Sequence, residues 1–275
     1  MKIDHLSHSQ WRAWHTCPAA AYAQYVLGTY HPGTTEAMAL GTLTEAAITD
    51  PRDVLDLIAS LRPNDQALLT TQKGAPTKDA ERAVQWGRQT AELLDLDGYA
   101  MQTELRPAIG GVTWICKLDL WSRTDGMVWD VKTCPADPLA ETWVPRLECR
   151  GNCIAERAYG YQLAAYREAV RQETGGLCDV GIMAIGKHKT RNGDPVANLW
   201  LFCWEDGSQL DGYLDAMAAS CMHPWTCGTG ALVPPIPEMY EAGAPLPRCE
   251  TCDWCVTSRE QRVRMYSDPQ KRGRQ

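Results

Sequence analysis

The sequence predicts an α/β fold, on three observations. Helical periodicity fills the opening part of the 275-residue chain, a tight hairpin with an apolar second strand occupies the middle, and a helical segment followed by two apolar runs comes after it. Helix, strand, hairpin, helix, strand is an α/β order.

Trp11, Trp14, Tyr22 and Tyr25 recur at helical spacing, which predicts one helix over about residues 7–27, and a second helix carries Gly41 to Ile48. Residues 52–96 read as mostly helical, with a break at Gly74-Ala75-Pro76-Thr77 and Thr77 or Asp79 capping the next helix. A strand is expected near Ala100–Pro107. Gly110-Gly111 then leads through Val112, Trp114 and Ile115 into the first arm of the central hairpin, Lys117–Trp121, and Asp125-Gly126 turns the chain into the second arm, Met127–Thr133. A proline-interrupted connection through Pro145 precedes a helix over Gln162–Gln172. The apolar runs Cys178–Lys187 and Val196–Glu205, separated by Arg191-Asn192-Gly193, form a second hairpin signal. A helix over Ser208–Met222 follows, and prolines 234, 235, 237, 245 and 247 mark an irregular lead-in to the C-terminal cysteines.

The central hairpin carries the chemistry. Side chains alternate along a strand, so Asp130 and Lys132 share one face while Val131 points the other way, and Asp119 can face them from the partner strand. Acidic and basic residues on a two-stranded ribbon are most often a solvated face. Here, however, Asp130 is embedded in an apolar strand, where a charge is costly without a function or a partner. Two carboxylates beside an ammonium group suit a divalent cation held by hard oxygens, with the lysine next to an attacking water.

Asp119 followed by Asp130-Val131-Lys132-Thr133 resembles the core of the PD-(D/E)XK nuclease superfamily in its RecB-like and phage-exonuclease branch. Gln162-Leu163-Ala164-Ala165-Tyr166 is similar to the Gln-X3-Tyr signature of that branch, and residues four apart share one helix face. Gly41-Thr42-Leu43-Thr44-Glu45 resembles the Gly-X3-(His/Glu) element that gives the family's first metal ligand, with Glu45, or Thr44 in another alignment, at that position. The resemblance implies a mixed central sheet flanked by helices, and Mg²⁺ or Mn²⁺ held by Glu45, Asp119, Asp130 and the Val131 carbonyl. It also implies that Lys132 positions the attacking water while Gln162 and Tyr166 steady the substrate strand or the metal shell. The implied activity is hydrolysis of DNA from an end. Endonuclease action on the same fold is one alternative, and a non-cleaving, metal-cluster DNA-binding adaptor another; a zinc-stabilised scaffold without a nucleic-acid role is a third.

The cysteines form a second constellation. Of twelve, three make Cys249-Glu250-Thr251-Cys252-Asp253-Trp254-Cys255, a spacing that lets thiolates converge on one metal centre. Cys17 is the leading candidate for a fourth ligand, with Cys149 or Cys153 as the alternative source. The segment from Ser7 through Cys17-Pro18 to Tyr22 resembles the N-terminal element of iron–sulfur nucleases, including the CRISPR-adaptation and AddB-type enzymes. In these families a [4Fe-4S] cluster joins the two ends of the domain. The last spacing is shorter here than in many relatives, and Zn²⁺ satisfies the same four thiolates. Cys116, Cys134, Cys178, Cys203, Cys221 and Cys227 read as small apolar fillers.

On this reading residues 1–258 form a single nuclease domain, made of a helical part to about 98, a catalytic core of about 99–222 and a cysteine region of about 223–258, with 259–275 a polar basic tail. No apolar run of spanning length and no signal peptide is seen, and the many cysteines point to reduced thiols or metal ligation, so a cytoplasmic protein without membrane contact is expected. A net charge of −7 runs against broad nucleic-acid binding but permits engagement of one strand end through a local basic lining, for which Lys187, Lys189 and the neighbouring His188 are candidates. Eleven tryptophans and ten tyrosines against one phenylalanine offer stacking faces, with Trp121, Trp129, Trp143 and Tyr166 the candidates, although most aromatic residues belong in the core and Trp129 is expected to pack behind the sheet. His8 and His15 are expected to be exposed helix residues. The partners implied are DNA, and an annealing protein, a helicase or a CRISPR integrase.

Overall fold

The computed structural model describes residues 4–94, 96–134, 142–144, 149–151, 159–189, 195–203, 207–228, 230–241, 246–249, 252 and 255. The expected Arg191-Asn192-Gly193 turn, Pro145, Cys153 and the tail 259–275 lie outside these residues, as do the side chains of Trp143, Cys149, His188 and Lys189. Among the described residues the helices are α1 (His8–Thr16), α2 (Pro18–Tyr25), α3 (Glu36–Thr49), α4 (Val54–Ala59), α5 (Pro63–Leu69), α6 (Lys78–Leu93), α7 (Tyr159–Thr174), α8 (Gly207–Met222) and α9 (Ile236–Glu241). The strands are β1 (Tyr99–Leu105), β2 (Ala108–Ile109), β3 (Val112–Thr113), β4 (Cys116–Ser122), β5 (Met127–Cys134), β6 (Thr142–Val144), β7 (Cys149–Gly151), β8 (Asp179–Lys189), β9 (Pro195–Cys203), β10 (Trp225–Thr226) and β11 (Leu232–Val233).

The chain makes two compact units, one of residues 34–105 and 116–213, the other of residues 1–33, 106–115 and 214–275. In the first, the order β1-β4-β5-β8-β9 makes a mixed five-stranded sheet. Its pairs are antiparallel except β5 with β8, which run parallel from Met127↔Asp179 to Cys134↔Gly186. That parallel pair requires a crossover, and α7 lies within it. Trp129 and Val131 of β5 point to one side, where Leu120, Met183 and Ile185 join Leu43 and Ala47 of α3 and Trp86 of α6 in a buried core. Alternation turns Asp130 to the opposite side, toward α7. Helices α3 and α6 pack closely because α6 carries Gly87: a Cβ there would stand 2.7 Å from Ala47 Cβ and closer still to the Thr44 carbonyl oxygen. Thr77, not Asp79, caps α6, its hydroxyl accepting from the Ala80 N–H.

In the second unit the expected single helix over 7–27 is two helices. Cys17 adopts an extended backbone (φ −153°, ψ 95°) between α1 and α2 because Pro18 disfavours helical geometry in the residue before it. The aromatic periodicity nevertheless runs through the break. The Ser7 hydroxyl accepts from the Gln10 N–H and the Gln10 side chain from the Ser7 N–H, which fixes the start of α1. The stretch after Gly110-Gly111 is likewise separate from the central hairpin. Both glycines have positive φ (58° and 73°), the requirement of a two-residue hairpin loop, so β2 pairs with β3 before β4 begins at Cys116. His15 is not an exposed helix residue. Its ring lies between Trp11 (4.1 Å) and Trp225 (3.8 Å), and burial lowers its pKa to about 4.

Candidate active site

The first unit brings Glu45, Asp119, Asp130, Lys132, Gln162 and Tyr166 to one place. The β4–β5 ladder ends at Leu120↔Trp129, one step before Asp119 would stand opposite Asp130. There the Asp119 side chain replaces a ladder contact, its Oδ2 accepting from the Val131 N–H at 2.8 Å. Asp130, 1% exposed, receives Gln162 Nε2 on its Oδ1 at 2.9 Å. Gln162 Nε2 also reaches the Tyr166 hydroxyl (2.7 Å), which donates to the Lys117 carbonyl (2.7 Å), so the two α7 residues one turn apart brace β4 and β5 from the same side.

Lys132 completes the group. Its Nζ forms an ion pair with Asp130 Oδ2 at 2.6 Å, donates to the Val131 carbonyl at 3.2 Å, and lies 5.4 Å from the centre of the Tyr159 ring. Asp130 Oδ2 is buried, and the Lys132 ammonium stands at the distance of a charge-assisted contact from it. Burial alone would lower the Lys132 pKa, but the carboxylates of Asp130 and Asp119 outweigh it and keep the ammonium charged. Burial raises Asp130 from the ordinary carboxylate range in spite of Lys132. Glu45 is pushed up to about 7, first by burial and then by the Asp119 charge. Three carboxylates and one ammonium in a poorly solvated place leave a surplus of negative charge, which a divalent cation with oxygen ligands would neutralise.

The glycine four residues before Glu45 has a local reason. A Cβ at Gly41 would stand 3.0 Å from Thr133 Oγ1, so its absence lets α3 lie close to β5. Thr44 is fully buried and donates to the Leu40 carbonyl at 2.8 Å within its own helix. Glu45, not Thr44, is therefore the α3 side chain in the site. Beside it lies an open cleft of about 570 Å³ whose lining includes Met38, Glu45, Lys132, Thr133, Tyr159 and Lys187.

Gln102 is a member of the group that sequence reasoning missed. Its Nε2 donates to Glu45 Oε1 at 3.0 Å and to Asp119 Oδ1 at 3.1 Å. It is the one non-glycine residue with positive φ (50°) among those described, a conformation costing about 1–2 kcal/mol. Trp121, Trp129 and Tyr166, considered as stacking faces, are instead buried at 1%, 9% and 5% exposure and present no open ring to a base. Arg123 lies over the Trp121 ring at 4.4 Å.

In the other unit Cys17, Cys249, Cys252 and Cys255 gather with all four sulfurs within 4.8 Å of one another. Cys17 Sγ lies 3.6 Å and Cys249 Sγ 3.9 Å from Cys255 Sγ, and the Cys252 N–H donates to Cys249 Sγ at 3.2 Å. The extended backbone before Pro18 places Cys17 between two helices, with Ala19 and Ala20 packed about the sulfurs. Four soft sulfur donors suit zinc or iron. Cys116, Cys134, Cys178, Cys221 and Cys227 are buried, whereas Cys203 is exposed.

No curated protein matches the chain. Among solved structures it is similar to a candidate exonuclease from Eubacterium rectale, with a TM-score of 0.69 at 18% identity over 92% of this chain and 88% of that one. That likeness concerns the fold. A family model described as a PDDEXK-like domain of unknown function (DUF3799) matches residues 7–194, and the chain belongs to that family.

Proposed function

We propose that this protein is a metal-dependent deoxyribonuclease that degrades DNA from an end, related to the RecB-like and phage exonucleases. One observation carries the reading: Glu45, Asp119, Asp130 and Lys132 converge beside an open cleft, three carboxylates against a single ammonium, with Asp130 buried. That surplus of negative charge fits a divalent ion held by carboxylate oxygens. Glu45, Asp119, Asp130 and the Val131 carbonyl would hold Mg²⁺ or Mn²⁺. When bound, the ion would polarise the scissile phosphate and acidify an attacking water.

The chain's own groups supply the rest. The Lys132 ammonium, kept charged by two carboxylates, orients a water or offsets charge developing on the phosphate oxygens. Gln162 and Tyr166 hold Asp130 against rotation, so the carboxylate is preorganised. Lys187, on the cleft wall, meets the phosphate backbone. The likeness to the E. rectale candidate exonuclease supports action at ends. Incubation with Mn²⁺ of linear duplex and of covalently closed circular DNA tests this: loss of the linear form with the circle intact is expected, and cutting of the circle would favour an endonuclease.

For the four cysteines we take a [4Fe-4S] cluster as the first reading, supported by the resemblance to iron–sulfur nucleases. A specific observation favours Zn²⁺ as the second. The sulfur separations of 3.6 and 3.9 Å are close to the edge, about 3.8 Å, of a tetrahedron around one ion with metal–sulfur bonds of about 2.3 Å. Visible absorption and metal content of protein purified without oxygen distinguish them: brown protein with iron and sulfide supports the cluster, and colourless protein with one zinc per chain supports the ion.

A further inference from the structure

Gln102 stands in a strand where its backbone does not belong. The β1–β4 register pairs Met101 with Leu120 and Thr103 with Leu118, so Gln102 falls opposite Asp119, yet these two residues do not pair. Directly opposite residues in an antiparallel pair turn their side chains to the same face, which brings Gln102 to the carboxylate side of the sheet. Its left-handed backbone (φ 50°) breaks the ladder at that one position. In exchange its amide nitrogen lies 3.0 Å from Glu45 Oε1 and 3.1 Å from Asp119 Oδ1. A conformation disfavoured for a side chain of this kind persists only where the surroundings impose it.

The Gln102 amide has two N–H bonds and uses them on carboxylates from two different elements, α3 and β4. It does for these oxygens what a cation would do, offsetting their repulsion with the positive end of a dipole. We propose that Gln102 is a positioning residue that acts as an internal stand-in for the divalent ion, holding Glu45 and Asp119 together in the metal-free protein and leaving when the ion enters. Gln102 is an exposed residue, so the side chain has room to swing away. It therefore lowers the apparent affinity for metal while it keeps the empty site assembled, since a site that must first release an internal ligand binds more weakly. The inference rests on the metal-site reading given above.

The test is Mn²⁺ binding to the full chain by isothermal titration calorimetry, together with the unfolding midpoint of the metal-free protein, for wild type, Gln102→Ala, Gln102→Gly and Asp119→Asn. Gln102→Gly keeps the positive φ without strain and guards against misfolding of the alanine variant. Both Gln102 variants are expected to bind Mn²⁺ about three- to tenfold more tightly, the net worth of one ordinary hydrogen bond at an exposed side chain. Gln102→Ala is also expected to lower the metal-free midpoint. A purely structural role would lower the midpoint without tightening Mn²⁺ binding, so unchanged or weaker binding in both variants overturns the inference. If wild type and Asp119→Asn bind Mn²⁺ equally, the metal-site reading itself fails, and the role of Gln102 fails with it.

Discussion

At the residue scale, the spacing Asp130-Val131-Lys132 was legible because a strand's period of two decides which side chains share a face, whatever the rest of the fold does. Gln162 and Tyr166 were legible for the parallel reason on a helix. Gln102 was not. Nothing in Met101-Gln102-Thr103 marks a left-handed residue, and its two acceptors lie 57 and 17 positions away in sequence, on elements whose register is set by the whole sheet. Trp129 packs behind the sheet as expected, but stacking by Trp121 is not seen, because composition records how many aromatic rings a chain has, not which face of the sheet they fill. Tyr166 is a clear test of the bracing. Tyr166→Phe keeps the ring in its buried place but removes the hydroxyl shared by Gln162 and the Lys117 carbonyl. We expect about 1 kcal/mol lower stability by denaturant unfolding. DNA hydrolysis should slow by about tenfold as Asp130 loses its fixed orientation. A variant as active as wild type would place the α7 pair outside the working site.

At the scale of elements, the strands and helices of the core were readable from periodicity, but their pairing was not. The parallel alliance of β5 with β8 joins residues some fifty positions apart through a crossover, and local sequence carries no signal for it. The break between α1 and α2 was available in Pro18, yet the regular recurrence of Trp11, Trp14, Tyr22 and Tyr25 masked it. Glycines give the test at this scale. Gly87→Ala would press a methyl group onto α3 at Thr44 and Ala47, next to Glu45, and should cost about 1–3 kcal/mol by overpacking. Gly212, inside α8, has nothing within 4 Å of the point where a methyl group would stand, and should instead gain about 0.5–1 kcal/mol as alanine. Thermal unfolding of the two variants checks both signs, and equal shifts would contradict the α3–α6 contact.

At the scale of the whole molecule, the four-cysteine centre joins Cys17 to residues more than 230 positions further along the chain. Sequence spacing identified the three C-terminal thiols by themselves, whereas Cys17 needed the resemblance, because a single cysteine has no spacing to read. A metal bound only by the folded arrangement stabilises it by mass action. Cys17→Ser should therefore lose the metal measured in wild type and unfold at a lower temperature, and a variant with full metal content and an unchanged midpoint would show that Cys17 is not a ligand. Among the described residues no helix is long and apolar enough to cross a membrane.

The proposed metal-dependent hydrolytic site for DNA rests on Asp119, Asp130 and Lys132. Its most direct test is digestion of end-labelled single- and double-stranded DNA by wild type and Lys132→Ala, each with Mg²⁺, with Mn²⁺ and with excess chelator. Wild type should release short labelled products only when a divalent ion is present, and Lys132→Ala should bind the same DNA without releasing them. Degradation by wild type in chelator, or by Lys132→Ala at the wild-type rate, would contradict a metal-dependent role for these residues.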